Sequence, residues 1–396
     1  MTRSPITNKS YFQPQTPTSL KIALLTYSTK PRGSVIHTLE LAKALSNLGH
    51  QVCIYALDKD GKGFDYPLAC EYRLIPAQPA PPEIDALIGQ RIQEFVNYFS
   101  KNAKSYDLYH AQDCISANAL AILRQRQQIP HFVRTVHHIE EYSSPYLQQC
   151  QDRSIREANL CLCVSNKWQT ELQQQYQIHA PRVINGVNLQ RFSVNDGSES
   201  ALKKRWGLNG APIYLTIGGI EPRKNSMRLL QAFKQVLQTY PKAQLIIAGG
   251  ETLFDYQAYR DEFFILADKL AIEIGRSLIM PGTIAYSDLP ALYKTANAFV
   301  FPSVKEGWGL VVLEAIASNL PVITSNQAPF TEFLTNKQAL LVDPYSPEAI
   351  TFAMLSVLQQ KPSLVKLASS ILSDYTWDAS AQMHVHHYQQ LITSYA

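Results

Sequence analysis

The stretch Ile217-Gly218-Gly219-Ile220-Glu221-Pro222-Arg223-Lys224-Asn225 lies between an apolar run, residues 212–218, and a helical pattern that starts at Ser226. Paired glycines let a backbone pass close to a ligand. The turn after them presents two cations beside a helix N-terminus, where amides and the helix dipole attract anions. Arginine grips oxygens through parallel bonds and lysine adds a compact charge, so the stretch reads as a strand, a diphosphate-binding turn and a helix. That order is one unit of a parallel sheet, because parallel neighbours need a crossover and the crossover is usually helical.

The same alternation extends in both directions. Downstream, further strands are expected at 244–248, 278–281, 298–302, 321–324 and 339–342, with helices at 226–239, 256–274, 289–296, 310–317 and 347–359. Upstream, strands are expected at 21–27, 51–55, 108–111, 131–136, 160–164 and 182–184. Between the first two, Ile36, Leu39, Leu41, Leu45 and Leu48 keep a helical period until Gly49 stops it. A chain of 396 residues is longer than one hydrophobic core usually grows, so the two series are read as two α/β domains with parallel sheets. The expected divisions are a flexible leader at 1–20, a first domain at 21–192, a polar linker at 193–200 and a second domain at 201–376. A helix at 377–396 is expected to pack back on the first domain. Parallel sheets bind ligands beyond the carboxyl ends of their strands, which puts the site in the cleft between the domains.

Composition narrows the function. With 46% hydrophobic and 17% charged residues the chain is an ordinary folded protein, and a net charge of +4 without a long basic run gives nucleic acid nothing to bind. No apolar stretch approaches the roughly 20 residues that span a bilayer. The leader has no apolar segment of the secretory kind, so a cytoplasmic location is expected. The pattern at 84–106 sets Arg91, Lys101 and Lys104 beside Ile88, Ile92, Phe95 and Phe99. It is a candidate for peripheral contact with the inner membrane face, although covering a core is the preferred reading. Six cysteines without a Cys-x-x-Cys pair, Cys161 and Cys163 among them, are expected as free, buried thiols rather than metal ligands.

A second segment reinforces the first. Phe301-Pro302-Ser303-Val304-Lys305-Glu306-Gly307-Trp308-Gly309-Leu310 leaves a strand and enters the helix 310–317. Gly307 and Gly309 bracket an aromatic residue at a turn that can aim backbone amides at an anion. Glu314 follows Glu306 by about two helical turns, near enough to one face to share a ligand.

At this point the chain resembles the retaining glycosyltransferases of family 4, whose GT-B fold sets two Rossmann-like domains face to face. Glu306 and Glu314 match the family's Glu-x7-Glu motif, and Arg223 and Lys224 match its basic pair. The resemblance implies that Glu306 holds hydroxyls of the donor sugar, Glu314 the nucleotide ribose, and Arg223 with Lys224 the diphosphate. In the first domain, Arg32-Gly33-Ser34 stands where the family has a Gly-Gly loop, and Leu48-Gly49-His50 ends the following helix. Asn185-Gly186-Val187-Asn188, followed by Phe192, resembles the Asn-Gly-Val-Asp segment before the hinge, with Asn188 in place of aspartate. Thr135-Val136-His137 resembles the Thr-x-His stretch that brings a histidine to the transferred sugar; His138, Glu140 and Glu141 are placed toward the acceptor. The run 57–64 could cradle an anionic acceptor, although a plain glycine-rich surface turn is the preferred reading. Gly249-Gly250-Glu251 and Pro281-Gly282-Thr283-Ile284 are expected around the base and phosphates.

The implied activity is retaining transfer of a sugar from a nucleotide-diphosphate donor to a hydroxyl of a small-molecule, glycan or lipid acceptor. His137, Arg223, Lys224 and Glu306 are the expected catalytic residues. Gly33, Gly218, Gly219, Glu251, Gly307, Trp308, Gly309, Leu310 and Glu314 join the last three in binding the donor. The acceptor attacks from the face of the leaving diphosphate, which takes up its proton, so no protein nucleophile is implied. Neither a metal nor a resident cofactor is expected, because no Asp-x-Asp pair is expected to hold a divalent cation and two cations already face the diphosphate. A nicotinamide dehydrogenase would carry Gly-x-Gly-x-x-Gly after a strand, and the chain has none. An epimerase, a phosphorylase or a catalytically silent sugar-nucleotide scaffold of the same architecture are the alternatives.

Overall fold

The structure is a computed structural model that describes residues 19–102, 104–194, 196–250 and 256–395. Residues 1–18, most of the expected leader, and Glu251 lie outside the described residues. The first sheet is built from β1 (Lys21–Thr26), β2 (Gln51–Asp58), β3 (Glu71–Pro76), β4 (Leu108–Ala111), β5 (Phe132–Val136) and β6 (Leu160–Cys163). The second contains β7 (Ile213–Ile217), β8 (Gln244–Ala248), β9 (Leu278–Gly282), β10 (Ala298–Phe301), β11 (Val322–Ser325) and β12 (Leu340–Val342). Their orders are β3-β2-β1-β4-β5-β6 and β12-β11-β10-β7-β8-β9, parallel throughout. Counted from its own first strand, the second sheet repeats the order of the first. Each is the doubly wound arrangement whose ligand crevice opens where the order reverses, here between β1 and β4 and between β7 and β10.

The strands read as continuous apolar runs because helices cover both faces of each sheet. Ile22, Leu24, Leu25, Phe299 and Val300 are all fully buried. Every strand expected in the second series forms. The first series differs at two places. The strand β3 was not expected, because Glu71, Tyr72 and Arg73 give an exposed edge with little apolar signal. Residues 182–184 make only a single bridge, from Arg182 to Cys163, instead of a strand.

Helix Ile84–Lys101 turns Ile88, Ile92, Phe95, Val96 and Phe99 into a core shared with Tyr55 and Leu120, so the face weighed for membrane contact covers the sheet. No helix among the described residues is long and apolar enough to cross a membrane. All six cysteines are free; Cys161 and Cys163 share one face of β6, and their thiols donate to the carbonyls of Ile155 (3.2 Å) and Ala180 (3.3 Å).

The last helix, Trp377–Tyr395, lies against the helix Gly33–Asn47, with Trp377, Ala381, Tyr388 and Leu391 joining Leu39 and Leu45 in one core. Its start explains Gly186. A methyl group there would stand 2.3 Å from the Trp377 amide nitrogen, so only glycine lets the two backbones meet. Gly186→Ala is therefore expected to lower stability by roughly 1–3 kcal/mol, the usual cost of overpacking. Urea unfolding measures it; a midpoint equal to wild type would refute the close approach.

Candidate active site

The glycines after β7 serve the protein's own packing first. The amides of Gly218 and Gly219 both donate to the Ala248 carbonyl, at 2.8 and 3.2 Å, and Gly249 donates to Gly282 at 2.9 Å. A Cβ on Gly249 would stand 2.5 Å from the Gly219 nitrogen, so the ends of β7 and β8 touch backbone to backbone. Gly218, at φ +142°, leaves the groove in which the Lys224 stem lies; a Cβ there would be 2.6 Å from Lys224 Cε. After a short 3-10 turn, Asn225 takes the left-handed conformation at φ +62° and donates to the carbonyls of Pro302 (3.0 Å) and Pro344 (2.5 Å). That pins the basic turn to the loop after β10, across the reversal point of the sheet.

On that loop Glu306 is buried and its Oε1 gathers three donors: Lys224 Nζ at 2.5 Å, Ser303 Oγ at 3.0 Å and Arg223 Nη1 at 3.3 Å. Arg223 Nε also pairs with Glu221 Oε2 at 2.8 Å, and Arg32 from the first domain reaches Glu221 Oε1 at 3.7 Å. Burial alone would push the Glu306 carboxyl up, but Lys224 and Arg223 outweigh it and hold it below the usual carboxylate range. The layering is unequal. The side chains of Glu221 and Glu306 are 2% and 8% exposed, while Arg223 and Lys224 retain 31% and 12%. The acids form the floor and the cations the open side. Among the described residues Arg223 Nη2 has no hydrogen-bond partner, and Lys224 gives Glu306 one of its three donors.

The first domain closes on the same turn. A Cβ on Gly307 would lie 2.4 Å from the His137 carbonyl oxygen, Trp168 Nε1 donates to the Glu306 carbonyl at 3.1 Å, and Lys305 pairs with Glu140 at 3.5 Å. Glu140 also meets His138 Nε2 at 3.0 Å. Its burial would raise its pKa, but His138, Lys305 and Arg223 hold it down to about 2. His137 places Nε2 3.1 Å from Gln112 Oε1 and stands edge-on to His37 at 4.8 Å. Burial, with the fields of His37 and Arg134, holds it well below the ordinary histidine range, so the imidazole is neutral. It can bond a sugar hydroxyl but carries no charge to a leaving group.

Several expected donor contacts have other work. Trp308 is 2% exposed and stacks on Phe333 at 4.6 Å, with Tyr375 at 5.4 Å, so its ring fills the core under the turn whose backbone amides were expected to meet the donor. Gly309, at φ +105°, is required by the Phe330 ring, which would stand 2.7 Å from a Cβ. Leu310 begins the helix Leu310–Ala317 with its side chain against the core; no side chain caps that helix start, and the Val312 amide donates to the Gly309 carbonyl at 2.9 Å. Glu314 lies apart from the cation cluster. It is buried and accepts from Tyr293 at 2.7 Å, and burial pushes its pKa up despite that bond and Arg191. Glu306 and Glu314 thus occupy unlike environments. Gly33 opens the helix Gly33–Asn47, with nothing within 4 Å of where a Cβ would be. Glu221, Ser303, Arg32, Gln112 and Trp168 were not singled out from the sequence. For Glu221 a signal was present, a carboxylate two residues before an arginine in the deciding loop.

Residues 31–191 match the family model described as Glycosyltransferase Family 4, and residues 198–371 the one described as Glycosyl transferases group 1. The D-inositol 3-phosphate glycosyltransferase of Corynebacterium urealyticum is 23% identical over 423 residues, covering 94% of this chain and 96% of that protein. Among solved structures, sucrose-phosphate synthase from Thermosynechococcus elongatus superposes with a TM-score of 0.77 at 22% identity, over 94% of this chain and 99% of the other. Anabaena Alr3699/HepE in complex with UDP-glucose gives 0.73 at 18%, over 95% and 100%. With the two family matches falling on the two sheets in turn, the chain belongs to glycosyltransferase family 4 and is a glycosyltransferase of the GT-B fold.

Proposed function

We propose that this glycosyltransferase takes its sugar from a nucleotide-diphosphate donor and passes it, with retention of anomeric configuration and without a metal ion, to an acceptor hydroxyl. The observation that carries the reading is the pair of an open Arg223 and a mostly enclosed Lys224, held by buried Glu221 and Glu306 at the reversal point of the second sheet. Arg223 Nη2 and the remaining Lys224 protons face a diphosphate and meet the charge that builds as it departs. Fixed dipoles and charges of this kind need no rearrangement at the moment of reaction. The ionised Glu306 accepts hydrogen bonds from sugar hydroxyls, and the amides of the following helix start add to the anion site. The acceptor enters from the first domain, past neutral His137. Its hydroxyl forms the new bond to the anomeric carbon on the face the diphosphate leaves, and its proton goes to a departing phosphate oxygen. The nucleotides bound by two structural neighbours, UDP-glucose by HepE and ADP by Arabidopsis thaliana starch synthase IV, support a nucleotide-linked donor.

Lys224→Ala is expected to reduce kcat by about 10²- to 10³-fold, the usual loss for one charge-stabilising donor. Because it removes the closest of three donors from a buried carboxylate, it also costs stability, on the order of 3 kcal/mol. Adding Glu306→Gln to it restores stability and leaves activity low. Wild-type turnover in folded Lys224→Ala would end the proposal. Chelation with EDTA is expected to leave the rate unchanged, and NMR of the product to show the donor's own anomeric configuration. A rate abolished by EDTA, or an inverted product, would contradict the corresponding part.

A further inference from the structure

The run Leu57-Asp58-Lys59-Asp60-Gly61-Lys62-Gly63-Phe64 leaves the carboxyl end of β2, beside β1 on the cleft side of the first sheet. It contains an Asp-x-Asp pair, and both carboxylates are consumed locally. Asp58 accepts from the amides of Gly61 (3.1 Å) and Gly63 (3.2 Å); Asp60 accepts from Lys62 N (3.3 Å) and pairs with Lys30. These bonds hold the loop in shape and tie it to the loop after β1. Lys59, between them, points elsewhere: its ammonium lies 5.1 Å above the Tyr27 ring and makes no ion pair among the described residues.

Lys59 is exposed, and its ammonium rests against the face of the Tyr27 ring. Lost hydration, with the fields of Arg91 and Arg32, holds it down to about 8. Arg32 makes no side-chain hydrogen bond among the described residues and has only its 3.7 Å contact with Glu221. The Tyr27 hydroxyl likewise has no hydrogen-bond partner there, and it feels both Arg32 and, across the cleft, Arg223. The neighbouring acids are committed: Asp113 to the amides of Tyr27 and Ser116 (2.8 Å each), Glu94 to Arg91 (2.8 Å) and Glu221 to Arg223 (2.8 Å). Two cations and a hydroxyl donor therefore lie together on the cleft side of the first sheet; Lys59 makes no ion pair among the described residues, and Arg32 has only its 3.7 Å contact with Glu221, which Arg223 already holds at 2.8 Å.

We propose that Lys59, Arg32 and Tyr27 bind a phosphate group carried by the acceptor. The assignment rests on the transferase reading above and names its acceptor class. A dianion matches two cations, and three phosphate oxygens match a guanidinium fork, an ammonium and a phenol. The phosphate enters either on a soluble sugar phosphate or on a lipid headgroup, and the test separates the two sources.

The test is calorimetry on the full chain saturated with whichever of UDP, GDP and ADP raises its melting temperature. Glucose 6-phosphate and glucose are titrated in parallel, as are phosphatidylcholine vesicles with and without roughly one-fifth phosphatidylinositol. One phosphate arm is expected to bind about tenfold tighter than its neutral partner, worth about 1.4 kcal/mol. Lys59→Gln is expected to erase that gain and leave nucleotide affinity unchanged, while Lys59→Arg keeps most of it. A gain on glucose 6-phosphate assigns a soluble acceptor, and a gain on vesicles alone assigns a headgroup. If neither phosphate arm is preferred, or the preference survives Lys59→Gln, the acceptor assignment is overturned while nucleotide binding leaves the transferase standing. Absence of any nucleotide binding would instead overturn the transferase reading.

Discussion

A carboxylate taken out of water must be paired, and the buried Glu306 organises the second domain's catalytic end for that reason. Its partners come from a loop 82 residues earlier in the chain, so the pairing with Lys224 fixes the turn after β7 against the turn after β10. Glu221 repeats the arrangement from beneath Arg223. Two buried acids hold two cations in place, and the cations retain their open sides. The result is an anion site that exists before any anion arrives, the condition under which electrostatic stabilisation is most effective.

The glycines follow from the same constraint. Gly218 makes room for the lysine stem, Gly249 lets β7 and β8 touch at their ends, and Gly307 lets the His137 carbonyl come down on the Glu306 turn. Because both sheets have one strand order, their reversal points carry equivalent loops. On the second sheet these loops hold Arg223, Lys224 and Glu306. On the first they hold Tyr27, Arg32 and Asp113, with Lys59 one strand over. The cleft thus has a basic wall on each side, and His137 and Glu140 stand between them.

Much of this was legible in the sequence, for identifiable reasons. Buried parallel strands leave uninterrupted apolar runs, and all six strands of the second sheet could be read from them. The strand β3 could not, because an edge strand with Glu71 and Arg73 on it has no such run. The basic pair and the Glu306 turn were legible because glycine, charge and helix start coincide in a few residues. That Lys224 binds Glu306 was not, since nothing local joins residues so far apart in the chain. The place of the Trp308 ring was hidden for a related reason: it stacks on Phe333 and Tyr375, supplied by distant segments. The Asp58 and Asp60 pair corrects the expectation that the chain has no Asp-x-Asp; what no local reading gives is that the loop amides and Lys30 occupy both carboxylates.

The central claim is that the cluster of Arg223, Lys224 and Glu306 is a ready-made diphosphate site. The most direct measurement compares the melting temperature of the metal-free protein with each of UDP, GDP and ADP and with the matching nucleosides. Binding to the folded state raises apparent stability in proportion to the logarithm of ligand over Kd. The account predicts that one diphosphate raises the melting temperature, that its nucleoside does not, and that added salt erodes the effect. No shift with any of the three, or an equal shift with the nucleoside alone, would contradict it.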